Sequence, residues 1–592
     1  MRIKKSNLLR NLTAKEWIMA VFAVAFIVTG VWLDLKMPDY MSEITRLVQT
    51  SGSKMTDIWR EGGRMLLCAL LSAITSVVVS FFASQISSSF ARRLRENLYS
   101  TVSGFGATEI KRFSTASLIT RCTNDVNQIS MVIVFGLQVV VKAPVLAVWA
   151  IVKILGKSWQ WSLATGIAVA IMLLTFGIIT LFVMPKFKTI QKKTDDLNRT
   201  ARENLNGLRV VHAFNAENYQ QNKFDKVNDD LTKTNLYTQK FMAVMSPLMS
   251  LVNSGLSVAI YIIGAFLINA AAAPANKLML FSDMIVFSSY AMQVVFAFMM
   301  LTLIFFLLPR AIVSGRRVKE VLSTETSVKD GDFDGNTQEK GTIEFINVGF
   351  CYPDASEAVL EGINFMINKG ETVAFIGSTG SGKSTLINLV PRLYDATSGQ
   401  VFVDGVDVRD YKKQALYSKM GYISQRAVLF TGTIDSNVRL GEVNGLKPDT
   451  DAAEMATKLA EAKEFIDARE DKMESEVTQN GTNLSGGQKQ RVSIARALAR
   501  KPEILIFDDS FSALDYQTDK KLRQNLKEQL SGTTCLIVAQ RIGTIKNADK
   551  IIVLDNGKMV GEGTHDELLK NCEVYREIAL SQLSKEELAS GK

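Results

Sequence analysis

Gly377-Ser378-Thr379-Gly380-Ser381-Gly382-Lys383-Ser384-Thr385 follows the apolar run Val373-Ala374-Phe375-Ile376 and leads into Leu386-Ile387-Asn388-Leu389-Val390. The nine residues fit the phosphate-loop pattern G-x4-G-K-[ST], and a strand before with a helix after is the setting that pattern requires. Glycines let backbone N–H groups approach phosphate oxygens, and the following helix N-terminus favours negative charge. Lys383 is expected to reach the outer phosphates, and the Ser384 hydroxyl to bind Mg²⁺. By itself the loop says only that a nucleoside triphosphate binds here.

The chain upstream is of a different character. Nearly all long apolar runs precede Arg310, in a sequence that is 47% hydrophobic and 21% charged. A bilayer span needs about 20 mostly apolar residues. The runs Trp17–Leu33, Met65–Ala91, Met131–Val152, Ser158–Pro185, Phe241–Asn276 and Leu278–Leu308 meet that need. Residues 92–130 and 186–240 are long, charged connections, whereas Lys153–Lys157 and the link near 271–278 are short. Trp149, Trp159 and Trp161 flank the first short turn, as suits a membrane–water interface. No small-residue cleavage site follows the first run, so it reads as a retained helix.

Composition excludes several classes. The net charge of +9 is concentrated in clusters such as Arg92-Arg93-Arg95 and Arg316-Arg317-Lys319 at the ends of apolar runs. Such clusters suit lipid headgroups, and no nucleic-acid module is present. Five cysteines without CxxC spacing give no disulfide framework or zinc site. Two histidines, His212 and His565, leave no three-histidine metal site.

Downstream of the loop, Leu484-Ser485-Gly486-Gly487-Gln488 precedes Ile504-Leu505-Ile506-Phe507-Asp508-Asp509, and Ser512-Ala513-Leu514-Asp515 follows. In that order these motifs resemble the ABC transporter superfamily, and the upstream half resembles its exporter branch. Glu203–Glu217 is similar to the stretch after the fourth helix of those exporters, and Ser114–Val126 to their first intracellular loop. The resemblance implies an all-α six-helix transmembrane domain fused to an α/β P-loop NTPase with a helical subdomain near 426–490. The expected boundaries are 1–312 for the membrane domain, 313–340 for a linker, 341–578 for the nucleotide-binding domain and 579–592 for a tail.

The resemblance also implies roles. Tyr352 is similar to the aromatic that stacks on adenine, and Gln425 to the glutamine that senses Mg²⁺. Asp508 resembles the aspartate that holds the metal through water. Ser485, Gly486, Gly487 and Gln488 form the signature that caps ATP on an opposite domain, with Asp515 in the adjoining loop. Two such domains close around two nucleotides, so a second half-transporter is implied. Short helices in the intracellular loops are implied to dock on the ATPase domains.

Two positions depart from the family. Asp509 stands where the family carries Glu, and Gln540 where it carries His. Asp is shorter by one methylene, about 1.5 Å of reach; misplacement on that scale costs ~100-fold in rate. Gln cannot accept and return a proton near neutral pH. Both losses affect hydrolysis and spare binding. They resemble heterodimeric exporters in which one site is degenerate and a different chain supplies the Glu and His; a slow homodimer is the alternative.

Inside the spans, charge is confined to Lys142 and Asp283. An intramembrane charge is a functional candidate; Lys142 otherwise pairs with an acid on a partner chain or faces a water-filled cavity. Met292, Gln293, Phe296, Met299 and Met300 form a stripe that suits either an adaptable substrate pocket or ordinary packing. The expectation is outward export of drug-like or amphipathic compounds across the cytoplasmic membrane, with the nucleotide-binding domain in the cytoplasm. A lipid or glycolipid flippase and an ATP-gated regulator are the alternatives.

Overall fold

The computed structural model describes residues 12–582 except 51, 156, 157, 444 and 531. The centre of the short turn at 156–157 and the expected tail beyond 582 lie outside the described residues. The chain divides into two compact units. One holds the residues up to Ser103 together with Ala116–Thr324; the other holds Gly104–Thr115 together with the chain from Glu325 onward.

The first unit is helical. Its six long, apolar segments are Ala14–Gln49, Met55–Ser103, Thr115–Leu155, Trp159–Asn206, Glu217–Ala270 and Pro274–Ser323. At about 1.5 Å per residue, the longest, of 54 residues, is more than twice as long as a hydrocarbon core of ~30 Å is thick. Large apolar side chains such as Phe22, Leu66, Leu70, Leu174 and Phe266 stay exposed along these helices, as lipid-facing surfaces do. Trp161 and Tyr290 are buried at the centre of the bundle. The Trp161 indole donates to the Ile260 carbonyl at 3.1 Å and its ring lies 5.3 Å from that of Phe287.

Three boundaries differ from the sequence reading. The first helix does not stop at Leu33 but continues through Pro38 to Gln49, which brings Asp34 and Asp39 into it. The fifth ends at Ala270, because Pro274 opens the sixth at a position where a missing N–H costs nothing. The sixth runs on past 312 to Ser323. Beyond the apolar run it is held to the third helix by Arg317 Nε to Asp125 Oδ2 at 3.4 Å and by Arg121 Nη1 to Glu320 Oε2 at 2.8 Å.

The second unit contains a six-stranded sheet in the order Lys558–Gly563, Lys550–Asp555, Thr372–Gly377, Thr534–Val538, Ile504–Asp508, Met420–Ile423. All neighbouring pairs are parallel except the first, which is antiparallel. Strands such as Ile504–Asp508 and Thr534–Val538 are buried throughout, which explains their unbroken apolar sequence. A four-stranded antiparallel sheet, Leu360–Ile367, Ile343–Phe350, Ser398–Val403, Val406–Asp407, adjoins it. Short helices at Ile434–Val438, Thr450–Leu459 and Lys463–Asp467 fill the interval before the signature helix Gly486–Ala499.

Candidate functional site: a phosphate loop at the carboxyl edge of a parallel sheet

Four parallel strands end on the same edge, which is where open α/β sheets place ligands. Thr372–Gly377 delivers the phosphate loop, Ile504–Asp508 delivers Asp508 and Asp509, Thr534–Val538 leads to Gln540, and Met420–Ile423 leads to Gln425. The loop turns back through Gly382 at φ +95°, where an added Cβ would lie 2.8 Å from Leu360 Cδ2. Only glycine meets both demands.

Lys383 caps the loop. Its Nζ donates to the Gly377 carbonyl at 3.0 Å, the Ser378 carbonyl at 2.7 Å and Ser381 Oγ at 3.3 Å. Burial pushes its pKa down, opposed by the charge of Asp509. No ion pair to Lys383 occurs among the described residues, so loop oxygens and the more distant charge of Asp509 compensate this desolvated cation, which fits a triphosphate. Ser384 Oγ donates to Asp508 Oδ1 at 2.7 Å, and Tyr422 donates to the other oxygen at 3.2 Å. A hydroxyl beside a carboxylate is an oxygen donor set that suits Mg²⁺. Bound Mg²⁺ neutralises charge on the phosphate oxygens. Thr385, the residue after Ser384, shares a hydrogen bond of 3.0 Å with the Tyr352 hydroxyl. Ser378 and Thr379 complete the loop.

Asp509 follows its strand with φ +48°. Its Oδ2 accepts the amide of Gln540 at 2.7 Å and that of Gln425 at 3.1 Å. Burial raises its pKa; the two amides oppose this, Asp508 adds to it, and the net direction is upward.

The signature residues sit elsewhere. Ser485 Oγ accepts the Gln488 N–H at 3.3 Å and Gln488 Oε1 accepts the Ser485 N–H at 3.0 Å, a reciprocal cap on the helix Gly486–Ala499. Among the described residues no hydrogen bond joins Ser485–Gln488 to the phosphate loop. Asp515 caps the helix Tyr516–Gln529, accepting the Thr518 N–H at 3.0 Å, and is itself exposed.

In the helical unit, Lys142 Nζ lies 3.3 Å from Asp34 Oδ2. The expectation of an acid on a partner chain is corrected: the acid belongs to the first helix of the same chain. Ser72 in turn donates to Asp34. A second cluster joins Asp39 to Lys153 at 2.8 Å and to the Tyr290 hydroxyl at 2.5 Å. The methionine stripe divides. Met292, Gln293, Phe296 and Met299 line a cavity of about 690 Å³ with Met172, Met242, Met245 and Met249. Met300 instead lines a cavity of about 350 Å³ with Lys142 and Gln138. Met242, Met245 and Met249 fall on one helical face, a pattern present in the sequence; Asp34 and Asp39 were hidden just past the apolar run.

An apolar helical unit of this length, followed by a phosphate-binding sheet edge, defines a membrane transporter driven by an ATPase domain. The ABC transporter model matches residues 360–512 and the ABC transporter transmembrane region model matches residues 18–298. An uncharacterised ABC transporter ATP-binding protein of Mycobacterium tuberculosis is 37% identical over 557 residues, covering 93% of each chain. The ABC transporter ATP-binding protein YfiB of Bacillus subtilis is 33% identical, covering 89% of this chain and 90% of its own. An ATP-dependent lipid A-core flippase of Pseudomonas savastanoi is 30% identical, covering 85% and 82%. The solved structure of a bacterial Atm1-family ABC exporter with ATP bound shares the fold, with a TM-score of 0.77 at 23% identity, covering 97% of this chain and all of the other. The chain belongs to the ABC transporter family, as a membrane half-transporter of the exporter type whose ATPase, using ATP and Mg²⁺, is coupled to transport.

Proposed function

We propose that this chain is the degenerate-site half of a heterodimeric exporter in the cytoplasmic membrane. The observation that carries the reading is the pair of amides on Asp509. One oxygen of the carboxylate, Oδ2, is engaged by both Gln425 and Gln540, and neither amide relays a proton at neutral pH. Lys383, Ser384 and Asp508 retain everything binding requires. The distance in sequence and contacts between the signature and the phosphate loop supports a role for Ser485–Gln488 on a partner's nucleotide. That partner supplies the Glu and His missing here.

The test compares the purified chain with the same chain co-purified with its partner. The lone chain is expected to bind ATP and hydrolyse it poorly, with turnover appearing in the complex; brisk hydrolysis by the lone chain ends the heterodimer reading.

For cargo, the methionine-rich cavity supports a drug-like or amphipathic compound, because flexible thioethers re-pack around varied shapes. A lipid cargo is the second reading, favoured by the likeness to the lipid A-core flippase and by the Asp34–Lys142 pair. Drug-stimulated ATPase activity of the complex supports the first; stimulation by lipid alone supports the second.

A further inference from the structure

The helix Ala107–Phe113 belongs to the nucleotide-binding unit, although the chain on either side continues into the second and third helices of the other. Glu109 fixes it there. Its Oε2 accepts the Gly106 N–H at 2.9 Å and its Oε1 the Ser327 N–H at 2.9 Å. Phe105 stacks on Phe113 at 5.9 Å, both buried. That anchorage delivers Lys111 to Tyr352: its Nζ lies over the ring, 5.2 Å from the centroid. Lys111 makes no hydrogen bond or ion pair among the described residues.

The other ring neighbours of Tyr352 stand at right angles to it, Phe350 at 4.8 Å and 85°, Tyr394 at 5.4 Å and 89°. Its hydroxyl is tied to Thr385 of the phosphate loop. Two perpendicular ring contacts and the hydroxyl tie thus hold the ring in place. A stacking base needs a ring face, and the group positioned over that face is an ammonium.

We propose that Lys111 caps the base-stacking face of Tyr352 and competes with a purine base for it, an autoinhibitory contact that nucleotide entry must displace. This rests on the reading of Tyr352 as the adenine platform. The exchange replaces a cation–π contact with a π-stack, so the base, and not the phosphates, bears the competition. Because Lys111 rides on the segment pinned by Glu109, arrival of the base is felt by a stretch of chain covalently continuous with two membrane helices.

With the Lys111 side exposed, a cation–π contact corresponds to about a two- to fivefold change in affinity. The test is equilibrium binding of Mg·ATP and of Mg·tripolyphosphate, which has no base, to the full chain in detergent. Lys111→Ala is expected to tighten ATP two- to fivefold and leave tripolyphosphate unchanged, with Lys111→Arg behaving as the parent. Unchanged or weaker ATP binding, or equal shifts for both ligands, overturns the inference. Tyr352→Leu separates the two levels. If it weakens ATP alone, the platform stands, and Lys111→Ala on that background should add nothing. If it leaves ATP binding unchanged, the platform reading fails and takes this inference with it.

Discussion

The Nε2 amide of Gln540 donates to Oδ2 of Asp509 across 2.7 Å, so the two positions at which the sequence suggests a departure are bonded to each other. They are one local change. Substituting Asp509→Glu together with Gln540→His is expected to raise turnover at this site by about 10- to 100-fold, measured as steady-state phosphate release by the complex. Either substitution alone leaves a mismatched pair and should recover far less. No gain from the double variant would move the limit to the partner's signature.

Lys383→Ala removes the desolvated cation of the phosphate loop. ATP affinity is expected to fall by more than tenfold, a loss of at least ~1.4 kcal/mol, with thermal stability of the unliganded chain little changed. A titration with a fluorescent ATP analogue checks the first, and thermal unfolding without nucleotide checks the second.

Lys419 is buried between Asp404 at 2.6 Å and Glu503 at 3.0 Å. Lys419→Met leaves an uncompensated carboxylate that is almost wholly inaccessible. A loss of about 3–5 kcal/mol is expected, read as a lower unfolding temperature of the nucleotide-binding transition. An unchanged transition would show that the pair contributes nothing.

Asp34→Asn strips Lys142 of its counter-charge within the helices. The expected cost is about 1–2 kcal/mol after allowance for partial exposure, and Asp34→Asn with Lys142→Gln should restore most of it. Additive losses in the double variant would refute the pairing.

Acid stability offers a fifth handle. Burial alone would push the Asp407 carboxyl up, but the hydrogen bonds from Arg409, including Nη2 at 2.6 Å, outweigh it and hold the carboxyl below its usual range. The unfolded chain then binds that proton more readily, near pH ~4. The pair's contribution is complete above that pH and drains away as the pH falls through the folded value. Arg409→Ala should flatten that acid limb and leave the pH dependence near neutrality unaltered.

The phosphate loop and the six apolar runs were legible because each is a local pattern: glycine spacing between strand and helix, or length of unbroken apolarity. The partner of Lys142 was not. Asp34 lies just past Leu33, where hydropathy ends the run, and only the packing of the first helix against the third brings the charges together. The reach of the sixth helix to Ser323 was hidden likewise, since Arg317 and Glu320 read as linker until Asp125 and Arg121 face them. The Asp509 and Gln540 substitutions were visible as letters; that one oxygen takes both amides depends on three separate strands ending side by side. Lys111 carried no signal, being one lysine in a charged connection.

The torsion at residue 509 also bears on how this chain can change over generations. A φ of +48° is left-handed backbone, which aspartate and asparagine tolerate far better than residues with longer side chains. A glutamate at that torsion would set a longer side chain on left-handed backbone, at a greater conformational cost than aspartate. Asp509→Glu would therefore lengthen the acid and raise the torsional burden together, so carboxylate reach and conformational ease pull in opposite directions at this residue.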